Sequence, residues 1–139
     1  MSTSDIKKRA KKTAIVYFCV SVFCAVFGLI YEYFSHGVYS FFMAFNFLVP
    51  LVHGALPFFI ISLIGKGMPG RIAFNLYNSG VATLTVGFIF KGVLQIYGTT
   101  NKLARVYFIT FGVLTAVSVV LWIINLINNK KRVEKSQSV

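Results

Sequence analysis

Acid is the scarcest chemistry in this chain: Asp5, Glu32 and Glu134 are its only acidic side chains, against 14 lysines and arginines in 139 residues. No acid pair is at hand for general acid–base work. There is also no HExxH pair, no phosphate-cradling glycine loop and no nucleophile spaced to a base. Enzymatic activity is therefore not expected. Cysteine is nearly absent as well. Cys19 and Cys24 lie five apart within one apolar run, a spacing that suggests neither a disulfide framework nor a metal site. His36 and His53 are seventeen residues apart, about 25 Å along a straight helix, too far to share an ion. Glu32 with His36 supplies two ligands at most, and a site needs more. No metal and no cofactor are expected.

Charge is also missing from the middle of the chain. Between Thr13 and Asn129 the only acid is Glu32, and the only bases are Lys66, Arg71, Lys91, Lys102 and Arg105. Charged residues make up 12% of the chain, where a soluble domain carries about a quarter. What remains is apolar: 57% of residues, with a mean hydropathy of +0.76. Uncharged runs of about 18 residues or more are the mark of spanning helices. The net charge of +11 would suit nucleic acid if it lay on a soluble surface. These bases flank apolar segments instead, as the positive-inside rule requires, so nucleic acid is not an expected partner. The tails KKRAKK (Lys7 to Lys12) and KKRVEK (Lys130 to Lys135) are expected against anionic lipid headgroups, worth about 1 kcal/mol per base near the surface.

The expected fold is an all-α integral membrane protein, a four-transmembrane-helix bundle with short loops. Residues 1–12 form a basic N-tail, residues 13–127 the transmembrane domain, and residues 128–139 a basic C-tail. The helices are placed at about 13–34, 38–64, 72–97 and 103–127, with boundaries soft by a few residues. The separators FSHG, GKGMPGR and YGTTNK are rich in turn formers. The first apolar run is too long for a signal-peptide core, and no A-x-A site follows it, so it reads as a retained helix. With the N-terminus inside, eleven bases fall on the inner side and three on the outer. That bias predicts a multi-pass cell-membrane protein with both termini in the cytoplasm. Tyr97, Tyr107 and Trp122 suit the aromatic belts at the two interfaces.

Helix two carries the features least suited to a membrane span. At 100° per residue, Tyr39, Asn46, Pro50, His53 and Pro57 fall on one stripe. Each of its two prolines follows a polar residue by four positions. Proline disrupts the hydrogen bond to the carbonyl four residues earlier. Pro50 thus frees the carbonyl of Asn46, and Pro57 frees that of His53. A freed carbonyl in lipid is costly, so the stripe must face protein or water. Helix two is therefore expected to be kinked at Pro50 and Pro57 and central in the bundle.

Facing residues are supplied by the other helices. Gly80, Gly87, Lys91, Gln95 and Gly98 share one face of helix three, where glycines allow close approach. Thr115, Ser118, Trp122 and Asn125 share a face of helix four. Glu32 and His36 lie one turn apart near the outer end of helix one, and Lys91 lies within snorkelling reach of the same level. Glu32 is expected to approach Lys91 or His36. Asn46, His53, Glu32, His36, Lys91 and Gln95 are thus the candidate polar or transport stripe.

In size and helix count the chain resembles the small multidrug resistance transporters. Their membrane-embedded glutamate lies mid-way along helix one, whereas Glu32 lies near its end, so no residue is carried over. The fluoride channels are similar in size, but their glycine-rich early motif does not occur here. Two functions remain: an accessory or structural subunit, assembling with a second copy or a larger membrane partner, and a small transporter or channel built on the helix-two stripe. The first is favoured, because no ionisable group sits at the bilayer midplane, where transport sites lie.

Overall fold

The computed structural model describes residues 2–137, and every regular element among them is helical. Helix α1 spans Thr3–Tyr33. Asp5 in its first turn complements the positive end of the helix dipole. The helix gives way to a turn through His36 and Gly37, both left-handed at φ 54° and 88°. Ser40 then caps the next element, its Oγ accepting from the Met43 N–H at 3.3 Å.

The expected single helix over 38–64 is instead a series of short pieces. They are α2 (Phe41–Ala44), α3 (Leu48–Pro50), a π-helical turn (Leu51–Ala55) and α4 (Leu56–Ile64). Two prolines within eight residues remove two ladder donors. The π turn absorbs the mismatch by widening one turn, with the Leu56 N–H reaching the Leu51 carbonyl. Helix α4 stops at Gly65, whose φ of 71° is the left-handed ending that glycine adopts without strain. Helices α5 (Arg71–Ile96) and α6 (Ala104–Gln137) complete the chain.

α1 begins ten residues before the expected start at 13, and α6 ends ten residues after the expected end at 127. Hydropathy falls at the basic tails, but the backbone does not change there. Lysine, arginine and alanine are good helix formers, so the helices continue into the tails. α1, α5 and α6 are each long and apolar enough to cross a membrane. Leu29, Phe23, Ile72 and many other large apolar side chains are exposed. An all-helical chain with three such helices is compatible with a helical membrane protein.

The broken segment Phe41–Ile64 lies between α1 and α5 and touches both, while α6 packs along α5. Glycines set how closely these elements approach. A Cβ on Gly54 would collide with the Tyr17 ring of α1, and one on Gly92 would stand 2.9 Å from the Met43 backbone nitrogen. At the termini-bearing end, Ala10, Ala14, Phe58 and Ile61 form a buried cluster, covered by Tyr17, Phe74, Tyr77 and Trp122.

Gly54→Val forces a branched side chain into the Tyr17 ring. Thermal unfolding in detergent should show a loss of about 1–3 kcal/mol. Gly112→Ala, at an exposed site with nothing near its Cβ, should show no loss. Equal behaviour of the two variants would contradict the Gly54–Tyr17 packing.

Candidate functional site

The site follows from the missing proline donors. Without an N–H at Pro57, the His53 carbonyl has no partner four residues ahead; the Tyr77 hydroxyl of α5 donates to it at 2.7 Å. Without an N–H at Pro50, the Asn46 carbonyl takes the Val49 N–H at 3.3 Å instead, a tighter turn. The Phe47 carbonyl accepts a long bond from Leu51 N–H at 3.3 Å and a second from the Ser21 hydroxyl of α1 at 2.8 Å. Both neighbouring helices thus lend a hydroxyl to the broken backbone.

Further polar pairs run between the helices. The Tyr17 hydroxyl donates to Asn78 Oδ1 at 2.6 Å, joining α1 to α5, while its ring stacks on Phe58 at 5.9 Å. Ser118 of α6 donates to the Ala73 carbonyl of α5 at 2.6 Å. Gly80 and Gly87 do face α6: a Cβ on Gly80 would lie 3.0 Å from Thr115 Oγ1, and one on Gly87 would lie 2.7 Å from Tyr107 Cβ.

Of the stripe, Asn46 and Pro50 are buried, His53 and Pro57 are half-buried, and Tyr39 is exposed. Asn46 is 0% exposed, and its Nδ2 reaches only the Met43 sulfur at 3.8 Å. The His53 ring meets Phe111 edge-on at 5.7 Å. Among the described residues, three buried side-chain polar atoms lack a hydrogen-bond partner: Asn46 Oδ1, His53 Nδ1 and Thr115 Oγ1. They sit on three different elements, the turn before α3, the π turn and α6.

The remaining candidates gather at the opposite end from the termini. Glu32 Oε1 accepts from the Ser40 N–H at 3.2 Å, and the Ser40 hydroxyl donates to Gln95 Oε1 at 2.8 Å. This chain ties α1, the start of α2 and the end of α5 together. Lys91 does not meet Glu32. Its ammonium stands 4.0 Å from the Phe42 ring centroid and 5.5 Å from that of Phe108, a double cation–π contact. His36 is exposed in its left-handed turn, beside a cavity of about 540 Å³ also lined by Tyr31 and Tyr97. The expected pairing of Glu32 with Lys91 or His36 is thus replaced by a backbone amide for the acid and aromatic faces for the base. Ser40, at the N-cap, has an amide with no earlier carbonyl to bind, and that free donor takes the carboxylate.

The stripe argument did not identify the donors Ser21 and Tyr77, nor the Tyr17–Asn78 pair. For Tyr77 the signal was the freed His53 carbonyl itself, which demands a hydroxyl on an adjacent helix; Ser21 and the Tyr17–Asn78 pair answer no freed carbonyl and carried no such signal.

Tyr77→Phe should lower stability by about 0.5–1.5 kcal/mol, the range for hydrogen bonds between membrane helices. Pro57→Ala restores an N–H that can reach the His53 carbonyl. In that background the Tyr77→Phe loss should shrink, as a double-mutant cycle on thermal unfolding would register. An unchanged loss would mean that Tyr77 acts through something other than the freed carbonyl.

Compared with family models, with curated proteins and with solved structures, the chain matches none.

Proposed function

We propose that this chain is a four-span accessory or structural subunit of a membrane assembly. In this reading the segment Phe41–Ile64 crosses the membrane as a fourth span, bent at Pro50 and Pro57. Its ends lie level with those of its neighbours: Ser40 bonds Gln95 of α5 at one end, and Gly65 packs on Lys7 and Thr3 of α1 at the other. The eleven bases at the termini-bearing end support a cell-membrane protein with both termini on the cytoplasmic side.

One observation carries the functional choice. The two carbonyl oxygens freed by the prolines are both occupied: that of Asn46 by the Val49 N–H and that of His53 by the Tyr77 hydroxyl of α5. Groups that serve as hydrogen-bond glue between helices support a scaffold more than a conduit. α6 leaves most of its length exposed, with only Ala104 and Ser118 buried, which gives a second copy or a larger partner room to pack.

A transporter or channel is the second reading. The buried unpartnered Asn46 Oδ1, His53 Nδ1 and Thr115 Oγ1 favour it, because such groups attract water or a polar substrate.

Two measurements test these readings. With Cys19 and Cys24 replaced, cysteines placed at Ser2 and Ser136 should resist an impermeant thiol reagent in intact cells, while one at Asn101 should react. Labelling at Ser2 and Ser136 from outside would overturn the orientation. Proteoliposomes should pass protons and potassium no faster than protein-free liposomes. Flux that disappears in Asn46→Ala or His53→Ala would replace the scaffold with the transporter.

A further inference from the structure

At the termini-bearing end a cleft of about 870 Å³ opens between the start of α1, the Gly67–Arg71 connection and the last turns of α6. Arg9, Arg71 and Arg132, one from each of these three places, line it together with Asn125 and Asn129. No carboxylate is among the described residues lining it. A second hollow of about 430 Å³ shares Asn125, Asn129 and Arg132 and adds Lys131 and Lys135. The wall also holds Met68, Leu126 and Val133. Both sides are fixed in place. Trp122 Nε1 donates to the Gly67 carbonyl at 2.8 Å, and a Cβ on Gly70 would lie 2.7 Å from Asn125 Nδ2.

We infer that this cleft is a discrete binding site for one anionic phospholipid, its phosphate held by Arg71 and Arg132 with Arg9 beside them. The inference rests on the membrane reading above and gives one part of the basic surface a specific ligand. Three features select the ligand class. Guanidinium forks match phosphate oxygens with paired hydrogen bonds, which a lysine cannot supply. Asn125 and Asn129 offer neutral donors for the oxygens that remain. Met68, Leu126 and Val133 add apolar wall that a free phosphate ion would leave unused. A basic pocket between helices at the membrane surface is a recognised setting for anionic headgroups. The rest of the basic tails attracts the surface diffusely. This cleft differs because cations from three separated stretches of sequence converge on one volume.

Native mass spectrometry of the full chain in detergent is the test, with phosphatidylglycerol and phosphatidylcholine as probes. Phosphatidylglycerol should add as a single preferred adduct, and phosphatidylcholine should not. Arg71→Gln with Arg132→Gln should weaken that adduct by about tenfold or more, given two lost cations. Lys8→Gln with Lys12→Gln removes the same charge outside the cleft and should leave it nearly unchanged. Arg71→Lys with Arg132→Lys should recover only part of the affinity. Circular dichroism of each variant separates lost binding from lost fold, and the lysine pair carries the test should the glutamine pair fail to fold.

Three results would overturn the inference: equal loss from both glutamine pairs, which marks diffuse attraction; equal binding of the two lipids; and full competition by millimolar inorganic phosphate, which assigns the cleft to a free anion. Orientation does not enter a measurement in detergent, so this test fails or succeeds independently of the thiol labelling.

Discussion

The structure depends on one constraint: in an apolar surrounding, a backbone carbonyl that loses its N–H must find another donor within the protein. Leaving such a group unpaired costs several kcal/mol, more than most helix–helix contacts return. Two prolines create this demand in the middle of Phe41–Ile64, and the neighbours meet it. Tyr77 reaches the His53 carbonyl and the Asn46 carbonyl is taken by a tightened turn, while Ser21 adds a second donor to the Phe47 carbonyl, which keeps the Leu51 N–H. The hydroxyls must stand close to do this, and Gly54 against Tyr17 and Gly92 against Met43 allow it. Broken backbone, small residues and interhelical hydroxyls are therefore parts of one solution.

That solution makes α5 the connecting element. It donates through Tyr77 to the π turn, accepts through Asn78 from α1, through Ala73 from α6 and through Gln95 from Ser40. Its buried residues, Ala73, Gly80, Val81, Leu84, Thr85, Gly87 and Gly92, lie on one half of the helix, but three glycines and a threonine among them keep hydropathy from marking that face. α6, by contrast, packs along α5 and exposes most of its remaining surface. Large apolar side chains lie on its open side, among them Val113, Val117, Val120 and Ile123. In water such a surface would signal aggregation or a binding partner; beside three helices long enough to span, lipid accounts for it equally well.

Much of this was legible from residue types and spacing. The apolar runs marked the helices, the four-residue Asn46–Pro50 and His53–Pro57 intervals named the carbonyls that needed partners, and Gly80 and Gly87 marked a close-approach face, though it meets α6 and not the helix-two stripe. The rest escaped for physical reasons. The angular stripe assumed a continuous α-helix, whereas the π turn at Leu51–Ala55 rotates everything after it. Before it, Tyr39 lies outside any helix and a turn at residues 45–47 separates α2 from α3, so Tyr39 stands exposed while Asn46 is buried. The Glu32 pairing was judged by charge, but at a helix start the free amide of Ser40 is a donor that a carboxylate can reach without desolvating a second charge. Lys91 found the faces of Phe42 and Phe108, which hydropathy counts as merely apolar.

The two ends of the molecule are held by different chemistry, and the difference follows from how charge is distributed. At the end away from the termini, neutral and singly charged groups share hydrogen bonds in series, Glu32 to Ser40 to Gln95, and these need no mobile counterion. At the termini-bearing end, the helices carry most of the bases outward on tails that continue as helix. Trp122 on Gly67 and Asn125 against Gly70 hold that end through the α4–α5 connection. So many like charges gathered at one end attract anions from outside. A bilayer surface supplies them where its leaflet is anionic. In the proposed membrane reading, the segregation that would orient the chain also selects the lipid it would keep, and the arginine-lined cleft is where that selection acts on a single headgroup.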